Sequence, residues 1–353
     1  MNFIVQENVP LAEMTTLKIG GKARFFASAK NETEIVEALN YAAINQLEVF
    51  ILGGGSNVLI ADEGFDGLVL QIALKGISIF QDDKQIVCVT AQAGEDWDAF
   101  CKFCVGRNLQ GIECLSGIPG FVGGTPVQNV GAYGQEVSET IRSVRVYDRT
   151  ENQFKILTND ECGFNYRTSI FNTAEKNRYI VTCVNYALKK NGEPEIIYRD
   201  LQNFFGERKP TLKETREAVL KIRAAKSMVI DAHDPNSRSA GSFFKNPIVD
   251  LKKFSEIEMK ARTLGVIGEG IPRFDVDENS VKIPAAWLIE KSGFEKGFHL
   301  GEAGLSSRHI LAIVNRGNAR AKDVLALKDK IQSKVKNRFD IELKPEPIFV
   351  GFQ

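Results

Sequence analysis

Gly117-Ile118-Pro119-Gly120-Phe121-Val122-Gly123-Gly124-Thr125-Pro126-Val127-Gln128-Asn129-Val130-Gly131-Ala132-Tyr133-Gly134 sets six glycines and two prolines among apolar residues. Such a composition makes a poor linker, because glycine adds unfolded-state entropy and buries nothing. It reads as a loop that wraps a flat, polar-edged ring and offers backbone N–H donors to its heteroatoms; a flavin is such a ring. Gly117, Pro119, Gly123, Gly124, Thr125, Gln128, Asn129, Gly131, Ala132 and Tyr133 are the candidate ring-binding residues. A second loop lies upstream, Gly53-Gly54-Gly55-Ser56-Asn57, directly after the apolar run at residues 49–52. Three glycines let successive N–H groups converge on an anion, and the Ser56 hydroxyl and Asn57 amide add donors. That suits a pyrophosphate, although a glycine run alone is equally consistent with a tight turn. It is neither the GxGxxG fingerprint nor a P-loop, which would need its lysine.

Outward from these loops, Asn31 followed by Glu34 predicts a capped helix whose apolar face holds Ile35, Ala38, Leu39 and Ala42. Strand-like runs at residues 49–52, 58–60 and 68–72 surround the first loop, making a small α/β layer. Further runs at 87–91, 143–147 and 179–184 bracket the second loop in an α+β, not a doubly wound, pattern. Trp97, Phe100, Cys101 and Cys104 fall at i, i+3, i+4, i+7, so this CxxC is read as part of a buried helix face and not as a redox or zinc pair. Residues 189–194 mark a break, and Thr211 with Glu214 opens another capped helix reaching about Ala225. A strand at 309–314 and a helix with Val324, Leu327, Ile331 and Val335 on one face precede an extended tail at 341–350. Three parts are expected: 1–75 with the pyrophosphate loop, 76–205 with the ring-binding loop, and 206–353 as a C-terminal α+β domain.

The chain has 353 residues, enough for two or three domains, with 45 basic residues against 45 acidic ones. That balance gives no global field for nucleic acid or an anionic membrane, so any anion is bound locally. The N-terminus lacks an apolar core of signal length and no later stretch approaches a membrane span, so a cytoplasmic protein is expected. Six irregularly spaced cysteines read as reduced thiols. His233, His299 and His309 have no ligand-like spacing; they are read as surface or structural residues, and no metal site is expected.

The two loops, with Thr15-Thr16-Leu17-Lys18-Ile19-Gly20-Gly21, Phe164-Asn165-Tyr166-Arg167-Thr168-Ser169-Ile170-Phe171, Ala240-Gly241-Ser242-Phe243-Phe244-Lys245-Asn246-Pro247 and Leu343-Lys344-Pro345-Glu346, resemble the UDP-N-acetylenolpyruvoylglucosamine reductase family in its own order. The segment Glu195-Ile196-Ile197-Tyr198-Arg199-Asp200 is similar to the tyrosine-bearing loop of its longer, type I members. The resemblance implies a two-subdomain FAD-binding fold of the vanillyl-alcohol oxidase and para-cresol methylhydroxylase type, followed by a substrate-binding α+β domain. It implies noncovalent FAD, NADPH as co-substrate and a sugar-nucleotide substrate, in a protein expected to be monomeric. Histidyl attachment from the FAD region is excluded, since the first histidine, His233, lies beyond it, while a cysteinyl link stays open on sequence alone.

By the same resemblance three residues are catalytic: Arg167 against the substrate carboxylate, Glu346 polarising the developing enolate, and Ser242 as proton donor. A hydroxyl is a poor acid, so its transient alkoxide needs support, and Lys245 is the nearby candidate. Tyr166, Tyr198, Lys226 and Asn246 are the implied substrate-binding residues, the last three toward the uridine nucleotide.

Overall fold

The computed structural model describes residues 3–81, 84–266, 268 and 270–352. The chain forms two compact units: Met1–Pro10, Lys22–Ser56 and Phe65–Val229 make the first, and Leu11–Gly21, Asn57–Gly64 and Ile230–Gln353 the second.

Two larger sheets dominate the first unit. One runs in the order Gln6–Pro10, Lys22–Ala29, Phe65–Ile72, Val49–Leu52, with the last two pairings parallel. Helix α1 (Glu32–Ile44) packs on it through Ile35, Ala38 and Ala42, and begins where the Asn31 side chain accepts the Glu34 N–H. The other sheet is antiparallel: Gln153–Thr158, Ile141–Asp148, Tyr179–Lys190, Ile86–Gln92, Ile77–Gln81, with Leu109–Gln110 also on the central strand. The first seventy-odd residues and the segment after them were expected as separate subdomains. One continuous core joins both sheets, from Ala27, Leu68 and Leu70 to Val144, Val146 and Val184.

Helix α2 (Trp97–Val105) buries the predicted stripe, Trp97, Phe100, Cys101 and Cys104. Trp97 and Phe100 meet Tyr186 at 6.0 and 5.0 Å between ring centroids, and the indole N–H donates to Leu115 O. All six cysteines are free and buried. Burial pushes up the thiols of Cys101, Cys104, Cys114, Cys162 and Cys183, the last two to about 12 and about 11, which leaves these five weak nucleophiles.

Helix α3 (Arg199–Phe205) and helix α4 (Leu212–Ala225) complete this unit, α4 opening on the predicted capping box of Thr211 and Glu214. A boundary was expected at residue 206, but α4 belongs to the first unit for a clear reason. Ala218 and Val219 pack with Leu201, Phe205 and Cys114, while Arg216 grips the Asp98 carboxylate at 2.6 and 2.8 Å.

The second unit packs helices α5 (Leu251–Thr263), α6 (Ala285–Lys291) and α7 (Ala321–Phe339) with two three-stranded sheets around Phe243, Phe244, Leu288, Leu327, Ile331 and Phe339. The predicted face of α7, Val324, Leu327, Ile331 and Val335, is fully buried. Ile348–Val350 pairs in parallel with Val58–Ile60, tying the tail to the segment after the first glycine loop. The expected strand at 309–314 shrinks to Ile313–Asn315. The buried Ser306 hydroxyl accepts the N–H groups of Arg308 and His309 and holds residues 306–309 as a turn.

Candidate functional site

The first unit places the two glycine loops against each other. An added Cβ at Gly54 would lie 2.7 Å from Gly120 Cα, and one at Gly120 would lie 2.7 Å from Ser56 Oγ. By contrast, a Cβ at Gly53 or Gly124 would meet nothing within 4 Å, so the backbone at those two residues is bare to a ligand. Bare backbone on two facing loops is compatible with the expected cradle, in which Gly53–Ser56 would meet a pyrophosphate and the 117–134 loop a ring. Gly54 does not adopt positive φ, so alanine there introduces a clash against backbone without conformational strain. Gly54→Ala is expected to weaken FAD binding about 10- to 100-fold, the size of a 1–3 kcal/mol overpacking cost. Flavin absorbance during equilibrium dialysis reads this directly, and unchanged affinity would dismiss the cradle.

The ring-binding loop is braced from beneath. Gly117 N–H donates to Asp98 Oδ1 at 2.6 Å, the carboxylate that Arg216 also holds. Burial alone would raise the Asp98 carboxyl, but Arg216 and the Gly117 N–H outweigh it and hold it below its ordinary value. Thr125 turns its hydroxyl inward, to Val122 O and the Tyr186 hydroxyl, both at 2.8 Å. Asn129 is 1% exposed, and its side chain is engaged by Glu136, Asn165 O and Ser138 N–H. These two residues can face a cofactor only through their backbone. Gly131–Ala132 and Gln135–Glu136 form a miniature hairpin, whose Tyr133-Gly134 turn has φ of +50° and +88°.

Arg167 sits at the third position of a tight turn closed by reciprocal Asn165 and Thr168 backbone hydrogen bonds, both 3.0 Å, with φ +54°. Its Nη2 donates to Gly131 O at 2.6 Å, its Nη1 lies 3.8 Å from Glu136 Oε1, and the guanidinium stands 5.2 Å from the Tyr166 ring centre. The arginine is thus fastened to the far end of the ring-binding loop. Tyr198, the N-cap of α3, meets Tyr133 edge-on at 5.4 Å, and Lys226, at the end of α4, pairs with Asp200. Burial pulls the Lys226 ammonium down, but Asp200 and the nearby Tyr133 leave it raised overall. Arg223 lies beside this group without a sequence motif to announce it. It is 6% exposed, its Nε has no hydrogen-bond partner, and it would stand 3.4 Å from a Cβ at Gly117.

The second unit assembles the other residues. Lys245 N–H donates to Lys344 O and Glu346 N–H to Phe243 O, both at 2.9 Å, so Ser242 and Glu346 come from neighbouring extended segments. Asn57, closing the first glycine loop, donates from Nδ2 to Glu346 O, and Ile348 N–H donates back to Asn57 O. The Ser242 hydroxyl lies 3.3 Å from Nε2 of His309. His309 thus lies beside Ser242, a neighbour that its sequence context does not announce. Asn246 accepts the Ala285 N–H at the start of α6 with its side-chain oxygen, which orients its amide group.

Known families divide the chain in much the same way. An FAD binding domain matches residues 23–156, and the C-terminal domain of UDP-N-acetylenolpyruvoylglucosamine reductase matches residues 234–350. The UDP-N-acetylenolpyruvoylglucosamine reductase of Thermobifida fusca is 42% identical, over 98% of this chain and 97% of that protein. This chain belongs to the UDP-N-acetylenolpyruvoylglucosamine reductase family. The reductase of Nocardia farcinica is 43% identical, over 98% of this chain and 90% of its own. The solved reductase of Thermus caldophilus superposes with a TM-score of 0.65 at 25% identity, covering 99% of each chain. The expected α+β class, with an FAD-binding part followed by a C-terminal α+β part, is the fold of this reductase family.

Proposed function

We propose that this chain reduces UDP-N-acetylglucosamine enolpyruvate to UDP-N-acetylmuramate with NADPH, through noncovalently bound FAD, in making peptidoglycan precursors. The observation that carries the reading is full-length membership of the reductase family in a chain whose fold also brings Ser242 and Glu346 to adjacent segments. When bound in the glycine cradle, FAD supplies hydride chemistry toward the vinyl carbon of the substrate. The protein's own residues then manage charge and protons. Arg167 takes the substrate carboxylate side-on, since a planar guanidinium matches a planar anion. Glu346 polarises the same developing enolate, and Ser242 gives the carbon its proton. Tyr166 steadies Arg167 at the substrate, while Tyr198, Lys226 and the Asn246 amide nitrogen hold the uridine nucleotide. Buried thiols with raised pKa favour noncovalent attachment over a cysteinyl link.

The enzyme is read as a cytoplasmic monomer. Among the described residues no helix is long and apolar enough to cross a membrane, and the balanced charge offers nothing to nucleic acid. The deciding experiment reduces the yellow protein anaerobically with NADPH, then adds either the enolpyruvyl sugar nucleotide or air. Bleaching followed by recolouring with the sugar nucleotide is expected. Fast recolouring with air alone would point to an oxidase, and no bleaching to a binding protein without turnover.

A further inference from the structure

Ser242 cannot act alone as a proton donor. A hydroxyl that gives up its proton leaves a strongly basic alkoxide, costly to form unless a neighbouring acid returns a proton to it. The second unit places an imidazole where that demand arises, with His309 Nε2 at 3.3 Å from Ser242 Oγ and both residues half-buried. The placement is built by the backbone. Ser306, itself 0% exposed, bends the chain by accepting the N–H groups of Arg308 and His309, and Phe243 N–H donates to Leu311 O at 2.8 Å. Histidine is the side chain that exchanges a proton near neutral pH.

We infer that His309 is the positioning and proton-supplying residue for Ser242. This rests on the function proposed above. As Ser242 protonates the enolate carbon, its O–H bond breaks, the electron pair stays on Oγ, and a C–H bond forms. The Nε2–H bond of the His309 imidazolium then breaks, its electron pair remains on the ring, and the proton restores the hydroxyl. Neutral imidazole regains a proton from water. The cycle thus passes one solvent proton into product, the proton that reduction of a carbon–carbon double bond by NADPH needs beside its hydride. The backbone-paired segments on either side carry Glu346, Lys245, Lys344 and Arg238, and the turn itself carries Arg308; a carboxylate near the ring would favour imidazolium and a cation would oppose it.

His309→Gln keeps a hydrogen-bonding group but cannot carry a mobile proton, so it separates the two roles. Flavin content and anaerobic bleaching by NADPH are expected to match the wild type. Recolouring by the enolpyruvyl sugar nucleotide is expected to slow about 10²-fold, to lose its pH dependence between about 5 and 8, and to show little change in KM. His309→Ala is expected to recover part of the rate when imidazole is added. Recolouring of His309→Gln at close to the wild-type rate, with the wild-type pH profile, overturns the inference. So does an equal slowing of both half-reactions, the mark of a purely structural role. Should neither variant bind flavin, the wild type decides: recolouring that has no inflection in the imidazole range overturns it. A wild type that the sugar nucleotide cannot recolour instead removes the functional reading itself, and the inference falls with it.

Discussion

Ser242→Ala is expected to stay yellow, to bleach with NADPH at the wild-type rate, and to recolour with the enolpyruvyl sugar nucleotide about 10²–10⁴-fold more slowly, the range for loss of a general acid. The structure makes the split clean. The backbone around Ser242 is held by bonds its side chain does not share, Phe243 N–H to Leu311 O and Glu346 N–H to Phe243 O, so alanine removes one hydroxyl and little else. The two glycine loops, Gly53–Ser56 and residues 117–134, are in the other unit. Stopped-flow absorbance of the two half-reactions measures the split. Wild-type recolouring in the variant would take the serine out of the mechanism. Combining Ser242→Ala with His309→Gln extends the test, because residues that pass one proton lose rate together and not additively. The double variant should therefore be about as slow as Ser242→Ala alone.

What the residues announced in advance depended on how local each device is. A capping box such as Thr211 with Glu214, or the stripe Val324, Leu327, Ile331, Val335, is written within one or two helical turns and appeared in place. The glycine loops were legible because bare backbone leaves a compositional trace. Long-range partners left none. Arg216 and Asp98 are 118 residues apart, and their pairing is what draws α4 into the first unit instead of the C-terminal one. His309 shows the same limit. Its run of apolar neighbours predicts a strand, and only the fold reveals that Ser306 captures the N–H groups such a strand would need. Backbone strain was hidden too. Asn129, Tyr133 and Arg167 hold φ of +44°, +50° and +54°, a region non-glycine residues enter rarely and at a cost of roughly 1 kcal/mol or more. All three belong to the ring-binding loop or the turn bonded to it, where surrounding contacts can sustain them.

That strain sharpens the test of Arg167. Arg167→Lys preserves the charge and the non-glycine backbone, so the turn from Asn165 to Thr168 pays the same conformational penalty in both proteins. What changes is the fork. The guanidinium fixes itself by donating to Gly131 O at 2.6 Å and approaches Glu136, and its plane is thereby set before substrate arrives. A lysine ammonium is a point charge that cannot hold Gly131 O and also meet a planar carboxylate along two parallel bonds. The expected result is a fall in kcat of about 10²–10³, the usual loss for one preorganised donor at developing negative charge. KM for the sugar nucleotide should rise, with FAD content and the rate of bleaching by NADPH unchanged. If lysine sustained kcat near the wild-type value, charge alone would suffice and the fork would have no part in stabilising the enolate. If flavin were lost instead, Arg167 would be acting through its hold on Gly131, as a brace for the ring-binding loop, and the substrate carboxylate would have to find its partner elsewhere.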